Sequence, residues 1–193
     1  MQLNLSSEEV LTSTRSVRKR LDFDKPVERK IVEECLEIAL QAPTGGNSQG
    51  WHWIVVEDAA KKKALADIYR ANWAIYSSLP SGKPRGDVRD EQLPKVRDSA
   101  TFLAENFEKA PMLMIPCIEG RLANLDVAMC ACAWGSLLPA AWSFMLALRG
   151  RGMGSAWTTI HLMFEGEKKA AELLGIPYDK ITQGGLFPIA YTI

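Results

Sequence analysis

From Val127 to Leu148 the chain carries no charged residue. A helix without charge on any face is normally buried in a protein core or spans a bilayer, and this run is long enough for either. Its composition favours the core. It is rich in Ala, includes Cys130, Cys132, Gly135, Ser136, Pro139 and Ser143, has few Ile or Val, and is closely bounded by Asp126 and Arg149. The segment therefore reads as a buried central helix, or one packed against a second subunit, rather than a membrane span. Pro139 should kink or divide it.

The rest of the chain is consistent with a globular protein. Its 193 residues suffice for one domain, residues 1–193, with a sizeable core. Apolar residues make up 47% and charged residues 24%, which is ordinary for a folded domain. Lys plus Arg and Asp plus Glu both number 23, so the basic excess of a general nucleic-acid binder is missing. The first residues include Glu8 and Glu9 and lack an apolar leader core, so no signal peptide is expected. Three of the four cysteines (Cys35, Cys117, Cys130, Cys132) fall in apolar stretches, the usual setting of buried free thiols. A reducing, cytoplasmic setting follows, with neither membrane nor nucleic acid as partner. His52 and His161 are the only histidines, which argues against a His-rich metal site.

Local signals divide the chain. Ser6 or Ser7 caps a first helix with acids in its first turn, running toward Arg18. Ile31, Val32, Cys35, Leu36 and Ala39 recur at helical spacing and mark a second helix ending near Gln41. Residues 51–57 read as a strand, and Asp58 caps a helix to about Tyr76 with Leu65 and Ile68 facing inward. Residues 77–95 are rich in Pro, Gly and charge and read as a long loop, either a lid or a disordered segment. A helix from Lys95 to Lys109 follows, then an apolar strand from Pro111 to Ile118, in which Pro116 suggests an edge or a bulge. A short strand after Gly154, a helix from Glu165 to Leu174 and a last strand from Gln183 to Thr192 complete an α+β layout.

Three segments could carry chemistry. On a helix, Arg15 and Arg18 would share a face beside Ser16, and two guanidiniums with a hydroxyl suit a phosphate. Taken alone, the run reads more simply as a solvated basic stretch. In APTGGNSQGWHW (residues 42–53), glycines allow a flat ligand close to the backbone. Asn47 and Gln49 offer both donors and acceptors, and Trp51 and Trp53 share one face of a strand. An equally good reading is a helix cap followed by a core strand whose indoles fill space. Gly150, Gly152 and Gly154 lie between a helix and a strand, the reverse of a dinucleotide fingerprint. Cys130 and Cys132 have no second cysteine pair and read as small buried residues. No nucleophile–base–acid set is visible, so no catalytic side chain is assigned.

In order and spacing, these segments resemble the nitroreductase family of FMN-dependent oxidoreductases. Arg15-Ser16-Val17-Arg18 matches its Arg-Ser-x-Arg motif, and Pro43 to Trp51 its Pro-Ser-x-x-Asn-x-Gln-Pro-Trp loop. Gly152 to Trp157 matches its Gly-Leu-Gly-Ser-x-Trp turn; Leu174 to Pro177 and Gly185 to Tyr191 match its closing segments. The resemblance implies a central, mostly antiparallel sheet flanked by helices, in a homodimer joined through a long apolar helix with FMN at the interface. By that likeness Arg15, Ser16 and Arg18 hold the phosphate and ribityl end. Pro43, Thr44, Gly45, Gly46, Asn47 and Gln49 reach the flavin from the other subunit, and Trp157, Thr158 and Thr159 lie along its ring. There are two departures. Gly50 replaces the usual proline, and the sequence ends at Ile193, where relatives commonly continue with basic residues; either the clamp is weaker or a tail is missing from the sequence.

The activity so implied is ping-pong. NADH or NADPH delivers hydride to flavin N5 and leaves, and a nitroaromatic, quinone or similar acceptor takes its place. The alternatives are a flavin-binding or storage protein without turnover, and a flavin-dependent dehalogenase or dehydrogenase of the same fold.

Overall fold

The computed structural model describes residues 2–80 and 84–193. Its helices are α1 (Ser7–Ser13), α2 (Arg29–Ala39), α3 (Ala59–Ser78), α4 (Val88–Asn106), α5 (Val127–Gly150) and α6 (Gly166–Leu174). Its strands are β1 (Leu21–Asp22), β2 (Trp51–Val56), β3 (Met112–Glu119), β4 (Met153–Ser155), β5 (Ile181–Gln183) and β6 (Phe187–Thr192). They form one sheet in the order β1-β6-β3-β2, with β4 added to β6 and β5 to β3, and every named pair is antiparallel.

β3 organises the layers. Its apolar run is buried along nearly its whole length, as expected of a strand covered on both faces. Because side chains alternate, Met112 and Met114 pack with α2 and α5, through Val32, Cys35, Phe144 and Leu148. Leu113, Ile115 and Cys117 face the other way, into a core built with Leu65 and Tyr69 of α3, Leu103 of α4 and Ala170 of α6. The result is helices, sheet, helices, with α5 beneath the sheet.

The caps expected at Ser6 and Asp58 are present, and Asp126 adds one that the sequence reading did not name. Ser6 and Glu9 close a reciprocal box on α1, with Glu9 N donating to Ser6 Oγ at 3.2 Å and Ser6 N to Glu9 Oε2 at 2.8 Å. Asp58 and Asp126 cap α3 and α5 by accepting from Lys61 N and Met129 N, each at 2.8 Å. Gly175 ends α6 in the left-handed region at φ 72°.

Five expectations are corrected. α1 stops at Ser13 instead of running toward Arg18; Thr14 turns extended, and its amide and hydroxyl both bond Val10 O. The 77–95 loop is largely helical: α3 runs to Ser78 and α4 starts at Val88, capped by the Asp87 carboxylate on Arg89 N at 2.9 Å. Asp90 and Glu91 sit in the first turn of α4, where carboxylates complement the helix dipole, so the charge that suggested a loop belongs to a helix start. Residues 81–83 of that expected loop lie outside the described residues. Pro116 is on a central strand, not an edge. Glu119 N bonds Gly50 O, so alternate residues of β3 bond toward β2, and Pro116 bonds the opposite way. There it meets the gap between β6 and β5, and its carbonyl accepts from Gly184 N at 2.7 Å. Pro139 does not divide α5, which is continuous from Val127 to Gly150. Cys130 is half-buried and Cys132 exposed, so neither fills the core as expected.

α5 is buried on one face only. Ser136, Leu137, Ala140, Ala141, Phe144, Met145 and Leu148 face inward. Val127 (87% exposed), Leu138 (37%) and Trp142 (39%) face out, leaving an apolar stripe with no charged residue.

Candidate functional site

The segment after α1 runs extended beside β4. Ser16 bridges Ser155 in parallel, and Val17 N donates to Ser155 O at 2.9 Å. The extended backbone separates the arginines that a helix would have paired. Arg15 lines a small cavity with Arg20, Met145 and Arg149. Arg18 lies on the side of Tyr69, whose phenol is shifted up by burial and pulled back by Thr158 and Arg18. The shared-face clamp is therefore corrected: Arg15 and Arg18 approach from two sides of one strand-like segment. Two hydroxyls near this segment, Ser155 Oγ and Thr158 Oγ1, are buried without a hydrogen bond of normal geometry. Native interiors leave few such groups unsatisfied.

The Pro43–Gln49 loop is built for close approach. Thr44 is extended, residues Gly45–Asn47 form a 3-10 turn, and Gly46, Asn47 and Gln49 take left-handed φ values of 59°, 52° and 50°. Gly45 N donates to Ser136 Oγ at 2.9 Å, which in turn donates to Cys132 O at 2.7 Å, fixing the loop to α5. A Cβ on Gly45 would lie 2.0 Å from Cys132 Sγ, so only glycine fits without rearrangement. Gln49 is tied to the loop through Nε2 to Asn47 Oδ1 (2.9 Å) and N to Thr44 Oγ1 (3.2 Å). Pro43, Gly46, Asn47 and Gln49 are exposed. The tryptophans that follow take the space-filling role. Trp51 Nε1 donates to Ser136 O at 2.9 Å, and Trp53 packs on Phe144, both against α5.

The third segment crosses the sheet. Trp157 Nε1 donates to Gly184 O at 3.0 Å, its ring lies 5.4 Å from that of Phe187, and Thr158 pairs with Leu186. Thr159 is exposed. Asn72 of α3 fixes the turn that follows, its amide donating to the carbonyls of Ile160 (2.8 Å), Met163 (2.7 Å) and His161 (3.3 Å). His161 is fully buried against Gln183, and burial lowers its pKa to about 4. Behind them Glu167 accepts two bonds from Arg121 and one from Gln183 N. Sequence reading missed Asn72 and Tyr69, although both continue the inward stripe of α3 begun by Leu65, at helical spacing.

Within one chain these parts do not all meet. The Gly45 loop is held at Ser136, whereas the Arg15 cavity is at Met145 and Arg149. Thirteen residues of helix between Ser136 and Arg149 span about 20 Å.

With this geometry described, comparison with known proteins is direct. The sequence profile of the Nitroreductase family matches residues 11–191, and the chain belongs to that family. A protein of Archaeoglobus fulgidus named "Putative NADH dehydrogenase/NAD(P)H nitroreductase" is 26% identical over 172 residues, covering 87% of this chain and 75% of the relative. A protein of the same name from Methanothermobacter thermautotrophicus is 23% identical over 186 residues, covering 95% and 75%. Among solved structures, the FMN and NADPH-dependent nitroreductase NfnB of sphigopyxis sp. superposes with a TM-score of 0.71 at 25% identity, covering 97% of this chain and 89% of that one. Oxidized iodotyrosine deiodinase bound to FMN and 3-iodo-L-tyrosine superposes at 0.74 with 20% identity, covering 96% and 89%. The α+β arrangement is the nitroreductase-like fold.

Proposed function

We propose that two copies of this chain join along the apolar stripe of α5 and hold two FMN molecules between them as an NAD(P)H-dependent oxidoreductase. The observation that carries this reading is the division of the site along α5. The arginine segment and the glycine-bare loop lie about 20 Å apart in one protomer, with an uncovered apolar face between them. A second copy, turned about that face, brings each loop to the other's arginines.

In this arrangement Arg15 and Arg18, on opposite sides of their segment, each carry the planar, permanently charged donors that match a phosphate. Ser16 adds a hydroxyl beside them. From the partner, Pro43, Thr44, Gly45, Gly46, Asn47 and Gln49 present left-handed backbone and two amide side chains to the ring edge. Trp157, Thr158 and Thr159 line the ring, and the Ser155 hydroxyl, buried without a partner among the described residues, fits a polar cofactor. When bound, FMN supplies the hydride relay from NADH or NADPH to a nitroaromatic, quinone or related acceptor. The protein positions these groups, and no side chain is needed as acid or base. Four free cysteines suit a reducing, cytoplasmic setting.

The purified protein should be yellow, and anaerobic titration with NADPH should bleach it. Arg18→Ala should weaken FMN binding about ten- to a hundredfold, as expected for one lost charge-assisted hydrogen bond, read by recovery of free-flavin fluorescence on dilution. Protein that stays colourless in excess FMN would overturn the assignment.

A further inference from the structure

The C-terminal turns of α3 and the first half of α4 enclose a cavity of about 560 Å³ whose walls include Trp73, Tyr76, Arg85, Asp90, Leu93 and Arg97. From its charges and rings we infer that it selects the electron acceptor, and that the preferred acceptor is a flat aromatic compound bearing a carboxylate. This rests on the flavin reading above and names the substrate class of that site.

The charges are unequally compensated. Arg89, on the same wall, is closed on the Asp87 carboxylate. Asp90 is engaged by two backbone amides, Arg85 N at 3.0 Å and Gly86 N at 2.7 Å. Arg97 reaches only the Ser77 carbonyl, at 3.2 Å, and the Arg85 guanidinium meets no acceptor among the described residues. Two guanidiniums thus border the cavity without a carboxylate of their own. Arginine's donor fork matches a carboxylate with two parallel bonds. Beside them Trp73 and Tyr76 lie with ring centroids 5.8 Å apart and planes tilted by 39°, giving apolar faces for an aromatic ring.

The helices that carry this cavity are anchored on the proposed flavin segments. On α4, Asp98 next to Arg97 pairs with Lys19, and Phe102 stacks on Phe23 at 6.3 Å. Asn72, adjacent to Trp73, holds the turn after Thr159. Two residues of the cavity wall, Trp73 and Arg97, are thus chain neighbours of residues that hold segments flanking the proposed flavin site.

The test uses two acceptors that differ in charge, 4-nitrobenzoate and 4-nitrobenzyl alcohol. In each case NADPH, one proton and the nitro compound give NADP⁺, the nitroso compound and water. The FMN-loaded protein should show at least about tenfold higher kcat/KM for the carboxylate. Arg85→Gln and Arg97→Gln should each remove about tenfold of that, mainly through KM, and leave the alcohol within about twofold. Calorimetric titration of the oxidised protein with benzoate should give binding that both variants abolish; this readout needs no turnover. Equal kcat/KM for the two acceptors, or variants that lose both equally, overturns the inference. A protein that takes up no FMN, or oxidises no NADPH with either acceptor, fails the flavin reading instead. In that case benzoate binding alone decides whether the cavity recognises the anion.

Discussion

Asn72→Asp tests how firmly α3 holds the turn beside Thr159. The substitution preserves shape and replaces an amide donor by a carboxyl in a site only 5% exposed, facing the carbonyls of Ile160, His161 and Met163. A protonated carboxyl donates through one hydrogen where the amide has two, so in acid one of two donors is lost, about 1 kcal/mol. Ionised, it faces three carbonyl oxygens and donates nothing, so it resists ionisation and its folded pKa rises above the unfolded value near 3.9. A raised folded pKa makes the variant's relative stability greatest below about pH 4 and progressively lower as pH rises toward that folded value. If the group remains neutral at pH 7, three displaced units correspond to about 4 kcal/mol. The total at pH 7 is then about 5 kcal/mol, or roughly 10–20 °C in melting temperature for a chain of this size. Asn72→Ala removes the same donors without introducing a charge, so its deficit should be smaller and independent of pH. Thermal melts of wild type and both variants at pH 5 and 7.5 check this. An Asp deficit equal at the two pH values, or under about 2 °C at pH 7.5, would refute the reasoning.

Two further outcomes follow. His161 has a folded pKa near 4, below its unfolded value, so the protein gains stability from it above about pH 6.5 and loses that contribution as pH falls toward 4. His161→Gln should flatten this part of the pH–stability curve, by at most about 3 kcal/mol; an unchanged slope would count against it. Leu138→Glu and Trp142→Glu place charge on the exposed stripe of α5. In light scattering after size exclusion they should convert a dimer to a folded monomer and release FMN together; a monomer that keeps its flavin would contradict the shared site.

The order of helices and strands could be read from the sequence because it depends on local patterns. Asp58 and Ser6 announce their helices by hydrogen bonds that reach only three residues, and the stripe of α2 is set by spacing alone. The failures occurred where a distant partner decides. Pro116 looked like an edge residue because its tolerance depends on where β5 ends and β6 begins, some seventy residues later in the chain. Residues 88–95 looked like a loop because charge and proline were weighed together, whereas Asp90 and Glu91 sit in the first turn of a helix capped by Asp87 and Pro94 is carried within it. The site followed the same rule. Its segments were recognisable from their residue types, but the opposed directions of Arg15 and Arg18 depend on pairing with Ser155 in β4.

α5 joins the two scales of this argument. Its lack of charge was the strongest signal in the sequence, and it has two physical causes that the sequence cannot separate. On one face the apolar residues support β3 and β6; on the other, Val127, Leu138 and Trp142 remain open to solvent in the single chain. Monomeric proteins seldom keep so continuous an apolar surface unless something covers it. In the proposed dimer, the loop tied to the middle of α5 through Ser136 and the arginine segment against its C-terminal end would each supply half of the flavin site. On that proposal one hydrophobic surface couples assembly to cofactor binding. A change that uncovers the stripe should lose flavin even though no residue on the stripe need touch it.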